Sequence, residues 1–485
     1  MKLIIPLAQT IATDDLGWVL AENEYEKGGP HRLHSNHKIT KDDYIKYINI
    51  AKALGTRFLV GFVIGEWDRE NTCAKDCYNK PVSPIDITEY GKNWQNTPPE
   101  DSVFDYLKDN AAYIDFGLHG VRHGHYEKGE NITGEWAYRP KEGDPTPWDK
   151  DNKTNYVVCD CFKEILRQYY TEEELSFPES FIPPSHVLYT DPESDISTCA
   201  VLSKYGVKYA TLRYTTKNEI MTHFTKFGLF DHNVFMIDRR PPREVSFDKD
   251  SCKPPLPPRP YPFIETHFNN LWGVEEYWKK YLSLINLFPT RMIAKNTENV
   301  FSQWVYRKYV KISKGYIDFS SVPQEFYDKN IVSNLVLKTF VGPFHLKVKS
   351  ELSVCGYYKD KYGYAYVTLA DMNEPMGRGV GKYKFSCKLT TKKPYDIPDN
   401  SRDTYCLYGG EECENCLKIR LKIYRRQSIT IPTKREIIKV ESSNPKVQIL
   451  GYDFGKDYVK IYLSGVSMIG DETIITINEG KCRVV

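Results

Sequence analysis

Over roughly the first three hundred residues, short β-branched or apolar runs alternate with longer segments of helical periodicity. The runs predict strands at Leu3–Ala8, Arg57–Ile64, Tyr113–Leu118, Ser180–Pro183, Lys208–Leu212, Val234–Ile237 and Pro262–Thr266. The periodic segments predict helices at Lys41–Leu54, Asp101–Ala112, Val157–Tyr170, Ser194–Tyr205 and Val274–Leu287. Alternation of this kind makes the strands parallel and joins them by crossovers, the pattern of an α/β protein. Seven strands over this length predict an irregular seven-stranded (β/α) barrel, whose chemistry gathers where the strands end. Beyond residue 330 the helical period disappears. Strand-like runs such as Phe344–Val354, Tyr364–Leu369, Lys382–Thr390, Leu417–Tyr424, Val447–Leu450, Tyr458–Leu463 and Thr473–Ile477 are separated by turn clusters, which predicts an all-β sandwich-like C-terminal domain. The expected division is a barrel over 1–295, a bridging helical segment over 296–330 and a β-sandwich over 331–485.

Two polar insertions interrupt the alternation, Glu66–Pro99 after the second run and His125–Thr154 after the third. Both would overhang the C-terminal face of a barrel and wall a cleft. The Pro-rich stretch Pro254–Pro262 reads as a rigid connector into the last strand. A formal net charge of +2, without a basic arm, excludes a strong field for nucleic acid. No run approaches the ~20 apolar residues that a membrane span needs. The N-terminal MKLIIPLAQT lacks the h-region and cleavage site of a secretory leader, so the expected compartment is the cytoplasm. Of the 12 Cys, Cys413 and Cys416 have the spacing of half a zinc site, with Cys406 and Cys387 nearby. Without a second half-site, reduced thiols are the expected state.

Three polar features fall at predicted strand ends: Asp14-Asp15, His119-Gly120-Val121-Arg122-His123, and Glu265-Thr266-His267. Two His four apart can turn both imidazoles to one side of a helical turn. A carboxylate from a neighbouring strand, Asp15, completes a His₂Asp set that leaves coordination positions open for water and substrate. Such a set fits a divalent metal ion, expected to be Zn²⁺, that acidifies water and polarises a carbonyl. His31, His34 and His37 form a second histidine cluster, expected to be loop or substrate contact, and His125 stands in reserve as a ligand. Aromatic residues on the insertions, Trp67, Trp94, Trp136 and Trp148, are candidates for stacking on sugar rings.

With these residues in place, the chain resembles the NodB-homology polysaccharide deacetylases, carbohydrate esterase family 4 and its relatives in the glycoside hydrolase/deacetylase barrel superfamily. The family's TFDDG resembles Ala12-Thr13-Asp14-Asp15-Leu16-Gly17, its H(S/T)xxH resembles His119–His123, and its late Leu-x-His resembles Glu265-Thr266-His267. The resemblance implies Asp14 as general base, Asp15, His119 and His123 as metal ligands, and His267 as general acid. It implies a carbohydrate substrate carrying an N-acetyl group. Arg122, His186 and Asp238 join the tryptophans as expected substrate-side residues, Asp238 also as the acid supporting His267. The family's Arg-x-Pro segment, whose Arg orients the catalytic Asp, corresponds to Phe181-Ile182-Pro183-Pro184-Ser185-His186 and carries no Arg. Arg122, Arg213 and His186 are the candidates to replace it. Two competing readings use the same barrel. One is a carbohydrate-binding or scaffolding protein without catalysis, and the other is a glycosidase pairing Asp14 with Glu265 or Asp238.

Overall fold

In a computed structural model of the chain, residues 2–19, 38–70, 97–127, 130–138, 145–212, 230–242, 253–373, 375–394, 397–400 and 403–482 are described. Seven strands, β1 (Leu7–Leu16), β2 (Phe58–Val63), β3 (Ile114–Gly120), β4 (Ser180–Phe181), β5 (Tyr209–Leu212), β6 (Val234–Arg240) and β7 (Phe263–His267), pair in sequence order. Every neighbouring pair is parallel, and β7 pairs with both β6 and β1, so the sheet closes into a barrel.

Helices α1 (Lys41–Leu54), α2 (Asp101–Asp109), α3 (Lys153–Arg167) and α4 (Thr198–Lys204) lie between the strands in sequence, and α5 (Glu275–Ser283) follows the last of them. Local chemistry sets the limits of α1. Thr40 and Asp43 form a reciprocal capping box at its start, and Gly55, at φ 63°, ends it in the left-handed conformation that a Cβ disfavours. The buried faces of these helices meet the outer face of the barrel in one large apolar cluster that includes Tyr47, Ile48, Phe104, Leu107, Phe162, Leu202 and Trp278.

The barrel interior belongs to a different cluster. Ala8, Ala12, Leu59, Ile182, Tyr209, Phe235 and Phe263 pack there together with α6 (Thr297–Tyr309). Phe301 of α6 meets Tyr209, Phe235 and Phe263 at ring separations of 4.5, 5.3 and 5.7 Å. These partners stand at the starts of β5, β6 and β7, so Phe301 fills the N-terminal end of the barrel and leaves the other end for chemistry.

Beyond the barrel the chain forms a separate all-β region of antiparallel sheets. Four of them group around two apolar clusters, one shared with α6 and the barrel interior and one further along the chain. The more distant group is tied to the barrel by buried charge. Arg57 pairs with Asp115 at 2.9 Å and stacks over the Tyr424 ring at 3.9 Å, while Lys422 lies 3.5 Å from Glu179 and 3.7 Å from Glu298. Among the described residues no helix is long and apolar enough to cross a membrane. Eight of the cysteines, Cys406, Cys413 and Cys416 included, are free thiols, and the Cys413 N–H closes a hairpin turn on the Cys416 carbonyl at 2.7 Å.

Two strands differ from the sequence expectation in ways that matter for the site. The first runs over Leu7–Leu16 rather than Leu3–Ala8, so Asp14 and Asp15 sit on the strand itself. Its polar residues hid it. All ten of its residues are buried, with Gln9 Nε2 donating to the Arg259 and Tyr261 carbonyls at 2.7 and 2.6 Å and Thr13 Oγ1 bonded to Tyr47 OH at 2.7 Å. Strand β6 continues to Arg240, which carries Asp238-Arg239-Arg240 to the mouth of the barrel.

Candidate metal centre and catalytic site

Asp15, His119 and His123 converge at the C-terminal ends of β1 and β3. Their ligand atoms all lie within 4.8 Å of one another, and all three residues are buried. His119 Nε2 and His123 Nε2 stand 3.3 and 3.4 Å from Asp15 Oδ1. Asp15 and His123 both hold left-handed backbone, at φ 65° and 66°. Non-glycine residues adopt that region at a cost and are concentrated at functional sites. On the far side of its ring, His119 Nδ1 donates to the Ile182 carbonyl at 2.5 Å, which fixes the tautomer with a lone pair on Nε2.

The histidine pair is not mounted on a helical turn, as its spacing suggested. His119 lies one residue before the end of β3, and the chain then turns tightly to His123. Glu135 makes that turn possible. Its buried carboxylate accepts the Val121, Arg122 and His123 backbone N–H groups at 2.9, 3.0 and 3.2 Å. Gly120 must lack a side chain, because a Cβ there would stand 2.0 Å from Glu135 Oε2. Sequence reading missed Glu135, since a carboxylate that cradles backbone N–H groups leaves no motif.

Trp67 and Trp136, expected to stack on sugar, are fully buried structural residues. Trp136 Nε1 donates to the His119 carbonyl at 2.9 Å while its ring packs on Phe181. Trp67 Nε1 donates to the Gly17 carbonyl at 2.8 Å, and its ring is edged by Phe62, Phe104 and Phe116. Neither offers a face to a ligand. Trp148 is half-buried, donates to the Glu135 carbonyl at 3.1 Å and lies 5.6 Å from the exposed Tyr138 ring. Trp94, His31, His34, His37 and Arg213 lie outside the described residues, as does the side chain of His125.

Asp14 and His267 flank the cluster as register partners across the seam between β1 and β7. His267 Nε2 is 3.9 Å from Asp14 Oδ2 and 3.6 Å from Asp15 Oδ2. The Pro183 segment carries no Arg, and an arginine reaches Asp14 from another strand: Arg239 Nη1, near the end of β6, donates to Asp14 Oδ1. Burial works against the Arg239 charge, but Asp14 and then Glu265 outweigh it and hold the guanidinium above its ordinary pKa. The two neighbours of Arg239 turn the other way, Arg240 Nε pairing with Asp238 Oδ2 at 2.8 Å. His186 Nε2 faces Glu265 Oε1 at 3.3 Å.

The donor set fits a divalent ion on two grounds. Buried His119 Nε2 makes no hydrogen bond among the described residues, though the Ile182 carbonyl leaves it a lone pair. Charge is the second. The buried ionisable residues here include four carboxylates (Asp14, Asp15, Glu135, Glu265) and two guanidiniums (Arg122, Arg239). Carboxylates outnumber guanidiniums among them, and a bound cation would offset that excess where burial makes uncompensated charge costly.

No family model matches this chain, and no curated protein matches it. A likeness among solved structures is to the GH57-type branching enzyme from the hyperthermophilic archaeon Pyrococcus horikoshii, at 11% identity and a TM-score of 0.24, covering 50% of this chain and 47% of that one. The matched part thus spans about half the length of that enzyme.

Proposed function

We propose that the chain is a metal-dependent hydrolase that removes an N-acetyl group from an amino sugar in a polysaccharide or glycan precursor. The observation that carries the reading is the buried Asp15–His119–His123 cluster with Asp14 on one side and His267 near both aspartates. Two imidazoles and one carboxylate suit Zn²⁺, which when bound would acidify a water and polarise the amide carbonyl. Asp14, oriented by Arg239, would accept the proton of the attacking water. His267 would deliver a proton to the departing sugar nitrogen, so base and acid are held on adjoining strands. Arg122 and Asp238, with Trp94 and Trp148 on the insertions, remain proposals for substrate contact.

The test is an acetate-release screen over N-acetylated glycans and their precursors, with zinc or with chelator, on wild type and His119→Ala. Release that needs both zinc and His119 supports the reading. A zinc-loaded protein that frees no acetate from any of them overturns it, and release of sugar instead would point to a glycosidase.

A further inference from the structure

Two buried carboxylates, Asp14 and Glu265, compete for a single guanidinium. Arg239 is fully buried at the end of β6, and both acids act on its charge. Were Arg239 to swing toward Glu265, Asp14 would lose the partner that orients it. The structure shows what stands between them. Arg239 Nη2 lies 3.2 Å from His186 Nδ1, while His186 Nε2 faces Glu265 Oε1 at 3.3 Å.

The direction of these contacts follows from chemistry. A guanidinium has donors only, so His186 Nδ1 must carry a lone pair and accept. The proton of the neutral ring is then on Nε2, directed at Glu265. Arg239 donates at both ends, to Asp14 through Nη1 and to His186 through Nη2. The backbone supports the same placement at a cost. Ser185 and His186 are consecutive left-handed residues, at φ 53° and 59°, and neither is glycine. Strand β4 is only two residues long, and the tight turn Pro184–His186 that follows it brings His186 into the barrel mouth.

We infer that His186 and Glu265 are positioning residues, which hold Arg239 on Asp14 by occupying its second nitrogen. The kinetic consequence rests on the proposed role of Asp14 as base, whereas the structural consequence does not.

The experiment uses the full chain, apo and zinc-loaded, with selective ¹⁵N labelling of histidine and arginine. Expected are the Nε2–H tautomer at His186 and separate, slowly exchanging Nη–H signals at Arg239. In His186→Ala the Arg239 signals should average. In His186→Gln they should persist, because the amide can accept from Arg239 and donate to Glu265, and zinc content should be unchanged in both. On a substrate that yields acetate, His186→Ala and Glu265→Ala should lower kcat by about 100-fold at constant KM, with His186→Gln recovering most of the loss. A proton on Nδ1, or Arg239 signals indifferent to His186→Ala, overturns the inference. If the spectra behave as expected while wild type frees no acetate, the positioning stands and the hydrolytic reading falls.

Discussion

Glu135→Gln removes a charge from the Val121–His123 turn and changes almost nothing else in shape. The wild-type carboxylate accepts three backbone N–H groups, two at Oε2 and one at Oε1. With its carbonyl in the Oε2 position, the amide keeps the Val121 and His123 bonds as neutral ones and sets an NH₂ group against the Arg122 N–H. Losing one hydrogen bond to a charged acceptor costs about 1.5–3 kcal/mol. The two retained bonds weaken as well, since charge-assisted bonds are roughly twice as strong as neutral ones. The local cost is then about 3 kcal/mol, or roughly 100-fold in the opening equilibrium of the turn. Native-state hydrogen exchange over 119–124 should accelerate by that factor, with exchange in α1 and β2 unaltered. Zinc should bind about 10- to 100-fold more weakly, as expected when a group supporting a ligand is lost. Unchanged exchange in 119–124 and unchanged zinc affinity would show that the turn holds itself, and the cradle argument would be wrong.

Zinc at about 100 times its dissociation constant should stabilise the chain by about 2.7 kcal/mol, seen as a raised thermal midpoint that chelator reverses and His119→Ala abolishes. Gly17→Ala should destabilise by about 3 kcal/mol or more, because φ there is 109° and a Cβ would lie 2.2 Å from the Val63 carbonyl oxygen; thermal unfolding measures it. Lys338→Met should cost about 1.5–3 kcal/mol by leaving half-buried carbonyls without their donor, since Lys338 Nζ donates to those of Asn286, Phe288 and Arg291 at 2.8, 2.8 and 2.7 Å. A midpoint within one degree of wild type would contradict that accounting.

The parts of the fold that sequence revealed are those where local signals agree and no distant partner is needed. Helix α1 was legible end to end, because its periodicity, its Thr40–Asp43 box and Gly55 all agree. Strand β1 was misplaced because its chemistry requires buried polar residues, and burial of Gln9, Thr10 and Thr13 depends on distant partners such as Tyr47 and the Tyr261 carbonyl. The same holds at the site. Asp15, His119 and His123 carry a spacing that could be read, and the structure brings them together. Arg239 could not be placed, since its neighbours Asp238 and Arg240 look equally suitable until the strand's alternation turns one inward. Trp67 and Trp136 misled for the opposite reason, as a large ring in a polar segment resembles a binding platform, while these two serve as indole N–H donors inside the core.

Phe301 gives the barrel a sense of time. Every strand of the barrel is synthesised before it, yet its ring closes the end from which Tyr209, Phe235 and Phe263 would otherwise face solvent. The stretch from His267 to Phe301 takes about 2 to 7 s to translate at roughly 5–20 residues per second. A chain that stops short of Phe301 therefore has every barrel strand but nothing to cover those three rings.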